Sequence, residues 1–518
     1  MDTSTILDEF PVGKLKAECL GLEIPNLNQS LWDMFAAAAE KHADEEALCS
    51  LWQHSDHLIP RLEIEKADFG MHIPPITNEN ENEVEVVTPE PCSAPLRWTF
   101  SQLRGKAESL ATWLQQHGCT KGDNLVVLVW NSAEWVLFLW VAARLQMPFV
   151  PLNPKSSDND IAHYLSLAPP QVLVTLDPDI SPILESFDNV KVRISVSKIS
   201  EGRRNWHSLP GIMGNLPMEN NTFAPLNNES AEPGQELAMI LFTSGTTSLP
   251  KGCPHTASNI WSATHDYDPV ARKNGYQNRW LLHTPVWHIF AMGQAIRGWR
   301  DGSSVVFATE KFDVTASLRA LQQENITHVG AVPLLAKALV AHPEFPGKNS
   351  LSLSYVTMGG TLIKDEDVRF CKEHLGSEAV IQGFGMTEGS PMVSWRRDDP
   401  MLKNGYHIGV GKVLPGARLK ICSPKSHVPL NKGETGELHI GGSSVIDGYL
   451  NGIDSESFYT DGVGKWFITG DQAMIDRDDI LYISGRYKDI IIRGGENLVP
   501  SKIEYCLQDL DITVSTNS

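Results

Sequence analysis

A helical period is the first strong signal along the chain. From Asn26 to Leu48 apolar residues recur at helical spacing, and Ser30 stands where an N-cap belongs. A second helical stretch runs from Thr99 to Gly118, with Ser101 as its expected cap and Gly118 as its stop. Between the two, residues 53–95 are rich in Pro, Asn and Glu and have no usable apolar period. That pattern predicts a disordered acidic insertion, with an acidic docking segment as the functional alternative.

From Asn124 onward, short apolar runs alternate with helical stretches. "NLVVLVW", "AEWVLFLWVAARLQ", "PFVPLNP" and "QVLVTL" come first, then "ELAMILFTSG", "SSVVFA", "ASLRALQQENITHVGAVP" and "LSYVTMGG". Alternating βα units of this kind predict parallel sheets buried on both faces. The most apolar stretch, Trp135 to Ala143, is interrupted by Arg144 and Gln146 well short of a membrane span, so it reads as a core helix. After Val410 the texture changes to Gly-rich β segments such as "GVGKVLPGARLKIC" and "TGELHIGGSSVIDGYL". The expected fold class is α/β: a large domain of parallel and mixed βα sheets plus a small antiparallel β subdomain.

Composition narrows the function. A chain of 518 residues predicts at least two globular units. A formal charge of −20 argues against a nucleic-acid partner or an anionic membrane surface, although a local site for a small anion can still be basic. The first residues carry no basic leader and the last form no peroxisomal address. Eight cysteines are scattered without a CxxC pair, which predicts free buried thiols and a cytoplasmic setting.

Three stretches carry candidate chemistry. Thr243 to Gly252 is a strand exit followed by a hydroxyl-rich, glycine-bearing loop that ends in Lys251. Convergent amides, hydroxyls and one ammonium suit a phosphate, and an ordinary Ser/Thr turn is the alternative. In "IQGFGMTEGSP", Thr387 and Glu388 follow Gly383, Phe384 and Gly385. A carboxylate beside a hydroxyl suits Mg²⁺ and phosphate, whereas a β-turn needs no ligand at all. In "KWFITGDQAM", Asp471 ends a strand, and Arg486 follows fifteen positions later. One carboxylate can accept two neighbouring ribose hydroxyls, but each residue alone also fits a surface ion pair.

In this order and wording, the three stretches closely resemble the adenylate-forming, or AMP-binding, superfamily of acyl- and aryl-CoA synthetases, nonribosomal-peptide adenylation domains and firefly luciferases. The resemblance runs from Ser30 to Glu504 apart from the insertion. It implies that Thr243, Ser244, Gly245, Thr246, Thr247 and Lys251 hold the β- and γ-phosphates of ATP. Phe384, next to Gly383, would lie against adenine; Thr387 and Glu388 would meet the α-phosphate and Mg²⁺. Asp471 would clamp the ribose with Arg486 as its partner. "LLHTPVWHIFAMG" resembles the family's Pro-x-x-His segment, which puts Pro285 and His288 at the mouth of an acyl pocket. "MGGTLI", Met358 to Ile363, resembles the strand that lines both the adenine and the acyl sites.

The implied activity is ATP-dependent conversion of a carboxylic acid to acyl-AMP, with release of pyrophosphate, and then thioester formation with CoA. Lys251, His288, Thr387 and Glu388 are the catalytic candidates, and no side-chain nucleophile is needed. ATP, Mg²⁺ and CoA are the implied cofactors and cosubstrate; a carrier protein's phosphopantetheine arm is the alternative acceptor. The resemblance divides the chain into a tail (1–29), the adenylate-forming domain (30–485) and a hinge region (486–518) around Lys488 and Asp489. A C-terminal α+β domain carrying the family's catalytic lysine is expected to be mostly missing, which makes a non-catalytic ATP- or AMP-binding protein a further alternative. Ser248 stands where the family usually has a second loop glycine.

No acidic residue follows the Pro-x-x-His segment to pair with an amino-acid ammonium, and an unpaired buried charge would be costly. Trp287, Phe290, Met292 and Val332 are instead expected to line an apolar pocket for a fatty, polyketide-derived or aryl acid. The wording "TSLPKGCPHT" also resembles ligases of fungal secondary-metabolite clusters.

Overall fold

A computed structural model describes residues 15–24, 29–58, 94–177, 181–197, 205–216, 234–243, 249–265, 272, 275–361, 363–396, 399, 409–424, 426–487, 491–493 and 496–498. The first helix is Leu31–Lys41, and Ser30 caps it in a complete capping box with Asp33. Its buried face is Leu31, Trp32, Met34, Phe35, Ala38 and Ala39. The second helix, Phe100–Gln116, begins earlier than Ser101 would allow. Thr99 is its cap, because Gln102 then falls at the third helical position and returns a hydrogen bond to the Thr99 backbone. Gly118 follows the helix with a φ of 83°.

Trp135 to Ala142 are all buried in the helix Ala133–Leu145. Apolar on every side from Trp135 to Ala142, that helix can only sit inside the protein. Trp140 stacks on Phe35 at 4.1 Å and 12°, and meets Trp299 edge-on at 5.2 Å. The Trp299 indole donates to the Ala47 carbonyl at 2.8 Å, so one aromatic cluster ties three helices to a sheet strand.

Among the described residues three large sheets form. In the first, the order is Gly252–Thr256, Leu237–Phe242, Phe149–Pro151, Leu125–Leu128, Val172–Thr175, Val192–Ser195 and Trp206–Ser208. All neighbours are parallel except the hairpin of Leu237–Phe242 with Gly252–Thr256. The second sheet has a parallel centre, Ala379–Met386, Tyr355–Met358, His328–Ala331, Arg279–Leu281, Ser304–Phe307 and Glu46–His54, with antiparallel strands at both edges. The third is antiparallel and built mainly from Ala417–Cys422, Gly436–Gly442, Lys465–Ile475 and Leu481–Arg486. The architecture is therefore α/β with mixed sheets and an antiparallel subdomain.

Two boundaries differ from the sequence reading. Glu18–Leu20, within the expected tail, pairs with Ala417–Cys422 as an edge strand of the antiparallel sheet. Gln53, His54 and Pro95, at the ends of the expected insertion, belong to the paired strands Glu46–His54 and Pro95–Thr99. Gln53 also bonds both oxygens of the buried Glu134 carboxylate, at 3.1 and 2.8 Å, and so extends order past residue 53. Residues 59–93, and with them most of the expected insertion, lie outside the described residues.

Truncating Trp140 should empty the middle of the aromatic cluster. Trp140→Ala is expected to cost about 3–5 kcal/mol in chemical denaturation, and a loss below about 1 kcal/mol would contradict this packing account.

Candidate functional site

The hairpin Leu237–Phe242 to Gly252–Thr256 leaves the first sheet at the loop read as phosphate-binding. Its neck is tied twice: Thr243 N donates to the Lys251 carbonyl and Lys251 N to Thr243 Oγ1, both at 3.0 Å. Ser244, Gly245, Thr246, Thr247 and Ser248 lie outside the described residues, as do Lys488 and Asp489. The Lys251 ammonium pairs with Asp454 and lies 4.8 Å from the centre of the Tyr449 ring.

The turn after Ala379–Met386 holds Thr387 and Glu388, and it is pinned from three directions. His255 Nε2 donates to the Thr387 carbonyl at 2.8 Å; burial lowers this imidazole to about 4, so it is neutral. Ile446 N donates to the Glu388 carbonyl at 2.9 Å. The Tyr449 hydroxyl donates to Glu388 Oε1. Burial and the adjacent carboxylate raise the Tyr449 pKa, which keeps the phenol a donor. Glu388 itself is 8% exposed.

Asp471 and Arg486 are cross-strand partners in the antiparallel sheet, which brings two residues fifteen positions apart into contact. Arg486 Nε donates to Asp471 Oδ1 at 3.1 Å. Burial pushes the Asp471 carboxyl up to about 6; Arg486 opposes the shift and nearby Glu388 adds to it.

Two adjoining cavities collect Thr243, Thr387, Glu388, Asp471 and Arg486; Lys251, paired with Asp454, borders neither. One, of about 390 Å³, is bordered by Thr243, Pro285, His288, Thr387, Glu388 and Arg486 among others. The other, of about 310 Å³, is bordered by Asp471, Arg486, Ile483 and Val410 among others. Gly360, Gly383, Phe384, Gly385, Met386 and Arg486 border both, so the two form one crevice with Phe384 at the junction. Gly360 belongs to the "MGGTLI" stretch read as lining two sites.

The acid side differs from expectation. Phe290 and Val332 line the larger cavity, but Trp287 and Met292 do not. Trp287 packs into the main core, with its ring 5.7 Å from that of Trp130, and Met292 is fully buried there. The helix Ile289–Arg300 explains this: its core-facing stripe takes Met292, and the opposite stripe presents Phe290, Gly293, Gln294 and Arg297 to the cavity. His288 precedes the helix without a side-chain capping bond and borders the cavity. The segment ahead of it is fixed by Asn131, whose amide donates to Leu282 O and Thr284 O at 3.3 and 2.9 Å and accepts from Val286 N at 3.2 Å.

Sequence reasoning missed Asn131, Tyr449, His255 and Gln294. Each acts across at least 61 positions or packs against a distant strand, so no local spacing marks it.

The chain matches the AMP-binding enzyme family over residues 78–450. It belongs to that family. Among similar proteins, an acyl–CoA ligase of Pestalotiopsis microspora is 28% identical over 449 residues, covering 80% of this chain and 74% of its own length. An indoleacetate–CoA ligase of Aromatoleum aromaticum is 28% identical over 412 residues, covering 79% of this chain and 77% of its own. The crystal structure of ATP-bound MatB from Rhodopseudomonas palustris superposes with a TM-score of 0.69 at 20% identity, covering 92% of this chain and 82% of that one. The last likeness establishes the shared fold. In this AMP-binding enzyme no three His, Cys, Asp or Glu side chains cluster as a metal cage among the described residues. Nor is any described helix long and apolar enough to cross a membrane.

The raised Asp471 pKa has a definite sign. An unfolded aspartate titrates near its ordinary value of about 3.9, so between about 4 and 6 the folded state binds the extra proton. Stability from the protonated form therefore falls as pH rises through that window. Asp471→Asn should gain thermal stability relative to the parent from pH 4 to about 6 and then level off. A difference that stays constant with pH would contradict the burial of this carboxyl.

Proposed function

We propose that the protein activates a carboxylic acid with ATP to form an acyl adenylate and pyrophosphate, then transfers the acyl group to the thiol of CoA. The observation that carries this reading is the single crevice, bordered by Phe384, Asp471, Arg486, Thr387, Glu388 and His288. A nucleotide laid along it would meet an aromatic face, a carboxylate able to accept two ribose hydroxyls, and hydroxyl and carboxylate groups at its phosphates. The two CoA-ligase relatives favour CoA over a carrier protein as acceptor.

A carboxylate is a poor acyl donor because its leaving group would be oxide. In the first step a carboxylate oxygen of the acid bonds to the α-phosphorus as the bond to pyrophosphate breaks. In the second a thiolate sulfur bonds to the acyl carbon as AMP leaves. The chain's part in the first step is positioning and charge neutralisation. Lys251, presented beside Tyr449 at the neck of the hydroxyl-rich loop, supplies positive charge toward the departing phosphates. With Tyr449 holding Glu388 Oε1, the other oxygen is the one that would reach a cation. Magnesium bound there would neutralise phosphate charge. One carboxylate plus substrate oxygens is a usual magnesium environment, which fits a site without a protein-built cage. His288, on the rim where the acid would enter, borders the junction between the acid and the phosphates.

Acid-dependent exchange of labelled pyrophosphate into ATP tests the proposal. Lys251→Ala and Asp471→Ala are expected to weaken ATP binding about tenfold or more, as loss of a charged hydrogen-bonding group does. Glu388→Gln is expected to slow exchange about 10²–10³-fold, chiefly in kcat. Unchanged ATP binding in both of the first two variants would refute the nucleotide placement.

A further inference from the structure

We infer that the acid accepted by this cavity carries a hydroxyl or amide group remote from its carboxylate, and that Gln294 reads it. This inference rests on the ligase reading of the site and specifies its substrate class. Gln294 borders the larger cavity together with Phe290 and Val332, yet it is 4% exposed. Both Nε2 and Oε1 of its amide are buried without a hydrogen-bond partner. A buried amide with neither donor nor acceptor satisfied is costly, and leucine or methionine would fill similar space without that cost.

The adjacent strand makes room for the amide. A Cβ on Gly330 would stand 2.3 Å from Gln294 Nε2 and 2.4 Å from Oε1, so glycine is what allows the amide to lie against the strand His328–Ala331. The Gly330 carbonyl accepts from His283 Nε2 at 2.8 Å and not from Gln294, so a bound acid would supply the missing partners. A carboxamide offers a donor and an acceptor together, and hydroxyls and amides are the small groups that answer both. Arg297, one helical turn further on, borders the same cavity and is 7% exposed, so the polar stripe continues beyond Gln294.

Size sharpens the class. The cavity of about 390 Å³ also spans Thr243, Thr387 and Glu388, where the phosphates would be read, so the acid has only part of that volume. Phe290 narrows it further: its ring lies against Gly359, where a Cβ would be 2.9 Å from Cε2. A compact oxygenated acid fits this wall; a long unsubstituted chain does not.

Calorimetry on the full chain saturated with AMP tests this, using matched acids of one skeleton: four- to eight-carbon acids with and without a terminal hydroxyl, and benzoates with and without a para-hydroxyl. The hydroxylated member of at least one pair should bind about tenfold or more tightly, roughly one hydrogen bond to a buried polar group. Gln294→Leu should reduce that ratio to near one, with AMP binding by the variant reporting that it has folded. If the variant does not fold, the ratios on the parent chain decide alone. Equal binding within every pair, tighter binding of every unsubstituted member, or no acid binding to the AMP-loaded chain would overturn the inference. If AMP itself does not bind, the nucleotide reading fails first and this inference falls with it.

Discussion

One carboxylate joins the parts of this molecule that have to work together. Glu388 is carried on a turn at the edge of the second sheet, but Tyr449 and Ile446, on the antiparallel subdomain, hold its side chain and its carbonyl. The preceding residue, Thr387, is held by His255 from the hairpin of the first sheet. Elements of all three sheets thus converge on two consecutive residues, and Cys253, Met392 and Val393 share one apolar cluster with the antiparallel subdomain. A buried carboxylate tolerates that position only where hydrogen bonds offset its desolvation, so the packing of the three units and the placement of the charge depend on each other. Asn259 strengthens the same junction by donating to the Ser443 and Val445 carbonyls at 2.8 and 3.2 Å.

Around that junction the crevice has two unlike ends. Asp471 and Arg486 sit on neighbouring antiparallel strands, a rigid mount whose geometry follows from strand register rather than from a loop. At the other end a helix presents alternate stripes: Met292 inward to the core, and Phe290, Gln294 and Arg297 outward to the cavity. On the proposed ligase reading, that helix face is the one that would meet the acid. The groups that would handle a nucleotide are spread over all three sheets.

Much of the fold was legible because it is local. Ser30 with Asp33, the all-apolar Trp135 to Ala142, and the βα alternation each declare themselves within a few residues. The Thr99 cap was misread because Ser101 has the right chemistry, and only the reciprocal bond from Gln102 decides between them. Motif wording marked Phe384, Glu388, Asp471 and Arg486, and all four border the crevice. The surroundings of Trp287 and Gln294 were not so marked. Whether Trp287 faces a ligand or the core depends on Trp130, and the role of Gln294 depends on Gly330; neither relation leaves a trace in local spacing.

The most direct test of this account is a crystal structure of the chain with AMP. The account predicts adenine against Phe384, the ribose hydroxyls on Asp471, and the phosphate beside Thr387. AMP bound instead in the separate groove of about 790 Å³ bordered by Asn259, Arg418 and Gly442 would contradict it.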